Sequence, residues 1–196
     1  MIITNETNYN LIKRDAVELV RSDTKYPSYV FKRPFRYFYF MEHGVALDVR
    51  IVKVFAAKVG DAVIKQMFLN PSAEEFWQKE CGHYGAMSVD VNALENQWKE
   101  NLLDDAGRPG NSMYNWNGTF CHFGNTKHWA VFNDFSFDLS VAGSDIDFSD
   151  IEEPYFRKYV HDVEWAVGYW KPFSWMDEEW YDTLRRNYSG LPAQNQ

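Results

Sequence analysis

The chain has 196 residues, of which 45% are hydrophobic and 24% charged, and its formal net charge is −8. This composition excludes an intrinsically disordered chain, and the length suits a single domain whose core needs no disulfide or metal for stability. The acidic balance argues against binding to nucleic acid or to an anionic membrane surface, because both require clustered Lys and Arg.

The first seventy residues predict one helix followed by an antiparallel meander. Helical spacing of Leu11, Ala16 and Leu19 places the helix at about residues 9–23. Beyond Pro27, aromatic or alternating runs predict strands whose connections are too short for parallel crossovers. These strands are expected at 29–32, 36–42, 45–51 and 62–69.

The rest of the chain predicts further helices and hairpins. Ser72 and Glu75 form a capping box, and Asn117-Gly118 is the clearest hairpin signal in the sequence. Helices are expected at 72–80, at 91–104, from Ser149 (with Pro154 in the first turn) to Lys171, and at 175–187. Strands are expected at 114–116 and 119–123 and as a pair within 128–141.

Together these elements predict a single α+β domain over residues 1–190, in which antiparallel meanders or hairpins pack against several helices. The N-terminal helix and the meander occupy 1–70, and an acidic, Trp-rich part occupies 71–190. Residues 191–196 are expected to form a disordered tail.

The sequence also predicts a cytoplasmic location. Its first residues lack the charged and apolar regions of a signal peptide, and no apolar run is long enough to span a membrane. The two cysteines are therefore expected to be reduced thiols in a soluble protein.

Two histidines are the best candidates for catalysis. His122 and His128 bracket a Gly-Asn turn, and Asp134 follows them. If these side chains faced one another across a hairpin, they could transfer protons in a small hydrolase or phosphodiesterase. The segment lacks the repeated His-x-Thr or His-x-Ser element of two-histidine phosphoesterases, and no other catalytic motif is present.

A zinc site is a further chemical hypothesis. Its ligands would be Cys81, His83, Cys121 and His122, which are chemically suitable for tetrahedral zinc. The direct adjacency of Cys121 and His122 does not fit the usual two-to-four-residue ligand spacing. We therefore expect no metal and no cofactor.

Acidic residues and tryptophans are concentrated in the same part of the chain. Residues 1–70 hold 11 Lys and Arg against 7 Asp and Glu, whereas residues 71–196 hold 9 against 21 and contain all eight Trp. Helix N-termini explain some of these acids and core packing explains most of the rings. The candidate partner-binding residues are Asp138, Asp145, Asp147, Asp150, Glu152, Glu153, Trp175, Asp177, Glu178, Glu179 and Trp180.

The leading functional hypothesis is an inhibitor that docks a basic protein partner. Small acidic α+β proteins without catalytic motifs include immunity proteins and antitoxins, whose partners are often cationic toxins. An acidic surface speeds the encounter with a basic patch, and buried Trp supplies binding energy. The alternatives are the hydrolase described above and a protein that binds a small ligand in an aromatic pocket. If the leading hypothesis holds, the acids from Asp134 to Asp147 and the segment Trp175–Trp180 should lie on one face.

Overall fold

The computed structural model describes residues 1–105, 107, 109–110, 112–115, 118–173 and 176–190. Within these residues six strands form one sheet. They are β1 (Tyr37–Glu42), β2 (Val63–Asn70), β3 (Ala86–Asp90), β4 (Thr119–Gly124), β5 (Trp129–Asp134) and β6 (Leu139–Ser144). Their order is β1-β6-β5-β4-β2-β3, and every neighbouring pair is antiparallel.

Helices cover both faces of this sheet. The α-helices are α1 (Glu6–Leu19), α2 (His43–Ala46), α3 (Val49–Val59), α4 (Leu94–Leu103), α5 (Pro154–Tyr159), α6 (Val163–Trp170) and α7 (Glu178–Tyr188). A π-helix spans Ala73–Cys81, and 3-10 turns span Val91–Ala93, Met113–Asn115, Phe135–Phe137 and Lys171–Phe173.

The sheet separates two hydrophobic cores. On one face, side chains of α1, α6 and α7 pack with Cys121, Phe123 and Phe132. On the other face, side chains of α3, α4, α5 and the π-helix pack with Phe120 and Trp129. Because successive side chains of a strand point to opposite faces, β4 and β5 contribute alternate residues to the two cores. Every residue of β4, β5 and β6 is buried.

The structure confirms the predicted α+β class, with an antiparallel sheet packed against several helices. The capping signal at Ser72 located one helix correctly, whereas the last helix, predicted from residue 175, begins at Glu178 with Asp177 as its N-cap. Ser72 accepts a hydrogen bond from the Glu75 N–H at 3.2 Å, and Asp177 accepts one from the Trp180 N–H at 2.9 Å. The limits of the domain at 1–190 remain a prediction.

The predicted strand at 45–51 is wrong, because this segment forms α2 and the start of α3. Asp48 caps α3 by accepting from the Arg50 N–H at 2.9 Å, and Gly60 ends the helix with a left-handed φ of 74°. Ile51 and Phe55, with their neighbours Val52 and Ala56, recur at helical spacing and are fully buried. The apolar alternation before Ile51 covers too few residues to outweigh these signals.

The meander also lies elsewhere in the chain. β1 pairs with β6 rather than with β2, and the consecutive strands β4, β5 and β6 form the actual meander. The predicted hairpin at Asn117-Gly118 is wrong on its first side, because Met113–Asn115 is a 3-10 turn. Trp116 and Asn117 lie outside the described residues. β4 instead forms a hairpin with β5.

The helix predicted from Ser149 onward divides into two. α5 begins at Pro154, and its N-cap is Glu153 rather than Ser149. Between α5 and α6 the backbone of His161 forms an antiparallel bridge with Phe40 of β1, with hydrogen bonds of 2.7 and 2.8 Å. This pairing interrupts the helix and fixes α6 beside the edge of the sheet.

Within the described part of the chain, no helix is both long enough and apolar enough to cross a lipid bilayer.

Candidate functional site

The three candidate catalytic residues lie in different environments. His122 is fully buried against Trp98 and Trp129, and burial lowers its pKa to about 3. The His128 side chain is 50% exposed and its Nδ1 lies 3.2 Å from Asp145. Asp134 lies at the opposite end of β5 from His128, about 20 Å along the strand at 3.3 Å per residue. The structure therefore does not bring them into one site.

The four candidate zinc ligands are also separated. Cys121 and His122 are successive residues of β4, so their side chains point into opposite cores. Cys81 is buried at the end of the π-helix, and the His83 ring nitrogen Nδ1 accepts from the Gly85 N–H at 3.0 Å. Among the described residues, no group of three or more His, Cys, Asp or Glu has a metal-binding arrangement.

Two of the candidate acids between β6 and α5 form close ion pairs within the chain. Asp145 pairs with Arg33 and lies beside His128, so it holds the start of β5 against the loop before β1. Asp150 accepts from the Lys58 Nζ at 2.7 Å. These pairs reduce the charge that both acids could offer to a partner.

The neighbouring acids mainly organise the local backbone. Asp147 accepts from the Tyr39 hydroxyl at 2.9 Å and also caps the following turn. Glu153 caps α5, and Glu152 makes only a long contact of 3.8 Å with Arg157. Of this set, Asp147 and Glu152 are exposed. The charge of Lys58 acts on Asp147, and Arg157 lies 3.8 Å from Glu152.

The C-terminal candidates surround the start of α7. Asp177 caps the helix, and Glu178 pairs with Lys171 at 3.1 Å. Glu179 is exposed in the first turn, and Trp180 is half-buried. The acids thus occupy the positions that the helix dipole favours.

The candidate acids do not all share a face with the C-terminal segment. Trp180 stacks on Phe137 at a centroid distance of 6.0 Å, which places it beside Asp138. Asp138 and Asp145 flank β6 and are about 20 Å apart along the strand. Trp175 lies outside the described residues. Of the candidate partner-binding acids that precede α5, Asp138 alone lies beside Trp180.

A different surface combines exposed acids with aromatic rings. His161, Trp165 and Tyr169 recur at four-residue spacing, and their half-buried rings form a continuous stack along α6. The ring centroids are 4.3 Å apart for His161 and Trp165, and 5.2 Å apart for Trp165 and Tyr169. The exposed carboxylates beside this stack are Asp138, Glu42 and Asp162. We call these six residues the α6 surface.

Its carboxylates are positioned by specific contacts. The Tyr169 hydroxyl donates to Asp138 at 2.9 Å, and Asp162 caps α6 by accepting from the Trp165 N–H at 3.0 Å. Burial and the charges of Asp138 and Glu42 raise the pKa of Tyr169 to about 12. Burial lowers the pKa of His161, which Asp162 and Glu42 partly oppose.

These three carboxylates lack internal counter-charges. Among the described residues, no Lys, Arg or His forms an ion pair with Glu42, Asp138 or Asp162. The α6 surface therefore combines a negative field with apolar ring area, and can accept cationic groups from outside the chain.

Comparison with protein-family models, curated proteins and solved structures found no match to this chain. Its function must therefore be argued from the site itself.

Two other features were also missed at the level of sequence. His43 Nδ1 lies 2.5 Å from the Asn133 Oδ1, and the Asn133 amide donates to Ser140 at 2.6 Å. Ser140 is fully buried, so this network anchors α2 to the sheet and offers no accessible nucleophile. Separately, a groove of about 520 Å³ lies beside α4, where Trp98 and Tyr114 contribute to its lining.

One feature of the α6 surface could be predicted from the sequence. The four-residue spacing of His161, Trp165 and Tyr169 predicts that these side chains share a helix face. The proximity of Glu42 and Asp138 has no such signal, because it depends on the pairing of β1 with β6 and of Phe40 with His161.

Proposed function

We propose that this protein is a binding protein of the inhibitor type, comparable to an immunity protein or antitoxin, and that it docks a basic protein partner through the α6 surface. The observation that carries this proposal is the stack of three half-buried rings bordered by three carboxylates without internal counter-charges. The proposal also places the protein in the cytoplasm, in keeping with two free, buried cysteines.

The two components of the α6 surface suit different stages of binding. Exposed carboxylates attract a cationic partner from a distance and raise the association rate, an effect that salt weakens. The rings of Trp165 and Tyr169 are held by stacking and by the Asp138 hydrogen bond, so binding costs little of their rotational freedom. Lys and Arg of a partner can then pair with carboxylates at the margin of an apolar contact.

Removing charge from the α6 surface should selectively release the partner. We expect the double variant Glu42→Gln/Asp138→Asn to lose most of the basic protein that the wild type retains in a low-salt pull-down from its native cells. Asn at position 138 can still accept the Tyr169 hydrogen bond, and Asn tolerates the left-handed φ of 48° there. Mass spectrometry would identify and quantify the retained proteins.

The matched control is Glu6→Gln/Glu100→Gln, which removes two exposed acids from α1 and α4. This variant should retain the partner like the wild type, and high salt should release it from both. Equal retention by the two double variants, or retained proteins without a basic surface, would contradict the proposal.

Trp165 should contribute more to affinity than any single carboxylate. Trp165→Ala removes the central ring of the stack, and we expect the dissociation constant to rise about 30-fold, which corresponds to about 2 kcal/mol. Trp165→Phe keeps an aromatic ring in contact with His161 and Tyr169 and should lose less affinity. Calorimetric titration with the identified partner would measure both values, with thermal unfolding to check the fold. Unchanged affinity in a folded Trp165→Ala variant would remove the ring stack from the interface.

A further inference from the structure

The outer edge of β1 is open beside a groove. β1 is an end strand, and Phe40 directs its N–H and C=O outward to His161. Because backbone groups alternate along an antiparallel strand, Phe38 directs its N–H and C=O to the same side. Neither group has a hydrogen-bond partner on this edge among the described residues. The outer edge of β1 is therefore hydrogen-bonded to His161 at Phe40, whereas at Phe38 its backbone groups are free to pair with another strand.

A groove of about 310 Å³ lies over this available position. Asp147 and Ser149 line it from the segment after β6, whereas Val163 and Tyr188 line it from α6 and α7. Since these two groups of residues belong to opposite faces of the sheet, the groove straddles the edge of β1. Phe38 contributes to the same lining, which places this residue of the open edge at the groove.

The dimensions and polarity of the groove suit an extended peptide. A peptide strand beside Phe38 would exchange two backbone hydrogen bonds with it and send alternate side chains toward the two walls. Each wall carries an exposed carboxylate, Asp147 on one side and Asp162 on the other. A backbone hydrogen bond from Ser149 lowers the pKa of Asp147, which keeps this carboxylate charged. Among the described residues neither acid forms an ion pair, and Lys58, whose charge also lowers the pKa of Asp147, is paired with Asp150.

We propose that this groove binds a short extended segment that carries Lys or Arg, which adds to the sheet as a strand beside Phe38. The proposal deepens the proposed function, on which it rests, by naming the part of the basic partner that is recognised. The α6 surface and the groove adjoin at Asp162, so one partner can contact both.

A selection of displayed random heptapeptides on the full-length protein would test this inference. We expect enrichment of peptides with Lys or Arg at alternate positions, and protection of the Phe38 amide from hydrogen exchange when such a peptide binds. Asp147→Asn keeps the hydrogen-bond acceptor for Tyr39 but removes the charge, and should weaken binding about tenfold. Ser189→Arg places a cation at the exposed rim of the groove and should weaken binding further. The control Glu100→Gln should bind as the wild type does.

Three results of these peptide experiments would overturn the inference. They are the absence of any enriched peptide, enrichment without basic residues, and binding that leaves the Phe38 amide unprotected. Protection of Phe38 in the free protein that disappears when residues 191–196 are deleted would assign the groove to the chain's own C-terminus instead. If the partner is lost with Glu42→Gln/Asp138→Asn but retained with Ser189→Arg, the groove proposal fails and the proposed function stands. If both variants retain the partner, the proposed function fails as well.

Discussion

The free energy of unfolding should fall by about 2 kcal/mol between pH 7 and pH 5 because of His122 alone. Its ring is fully buried, and among the described residues neither ring nitrogen has a hydrogen-bond partner. Burial lowers its pKa from 6.5 to about 3 in the folded protein. Between these two pKa values the unfolded chain binds a proton that the folded chain excludes. Stability is therefore present above pH 6.5 and is lost by about 1.4 kcal/mol per unit as the pH falls toward 3.

The variant His122→Leu should be free of this loss, because leucine has a similar volume and does not titrate. Burial also lowers the pKa values of His43 and His161, so the measured quantity is the difference between wild type and variant. Urea unfolding at pH 7, 6 and 5 would give that difference, and the exposed His128→Asn serves as the control. If wild type and His122→Leu lose stability in parallel, His122 is not a buried neutral base.

Replacing Asp61 by alanine should cost about 3 kcal/mol of stability. This side chain is only 6% exposed and accepts from the Trp129 indole N–H at 2.7 Å and from the Thr126 N–H at 2.8 Å. Alanine removes both acceptors, and a buried donor without a partner costs about 1–3 kcal/mol. Trp129 also stacks on Phe55 of α3 in the same core, so a shift of the Trp129 ring would disturb the packing of α3 as well.

A substitution at Gly124, which lies against the Asp61 carboxylate, tests the role of this carboxylate independently. A Cβ atom at Gly124 would lie 1.7 Å from the Asp61 carboxylate, so Gly124→Ala must displace that side chain. Its cost should be similar to that of Asp61→Ala, and the double variant should be much less destabilised than the sum of the two. Chemical denaturation of all three variants measures this coupling. Additive effects, or a change below about 0.5 kcal/mol for Asp61→Ala, would contradict the role given to this carboxylate.

Local signals in the sequence predicted much of the secondary structure. The cap at Ser72 depends on neighbouring residues alone, and it locates its helix correctly. The strand pair expected within 128–141 is present, but its second strand runs from Leu139 to Ser144, because Phe135–Phe137 is a 3-10 turn. The strand prediction for 45–51 is wrong because the short alternation there resembles a strand, whereas Asp48 and Gly60 cap a helix.

The candidate site was harder to predict, since it depends on long-range pairing. Asp145 and Asp150 are exposed acids in the sequence, but the fold brings Arg33 and Lys58 to them. Glu42 stands in the less acidic part of the chain, and only the bridge from Phe40 to His161 places it beside α6. Charge composition therefore predicts an acidic binding surface without locating it.

In the proposed function, the α6 surface contacts a basic partner. Hydrogen exchange of the full-length protein, alone and in complex with the partner identified by pull-down, tests it most directly. We expect binding to slow exchange of amides at Glu42, in the bridge at His161 and along α6, and to leave α1 and α4 unchanged. Protection confined to α4 and the groove near Trp98 and Tyr114, with α6 unchanged, would show that the partner binds elsewhere.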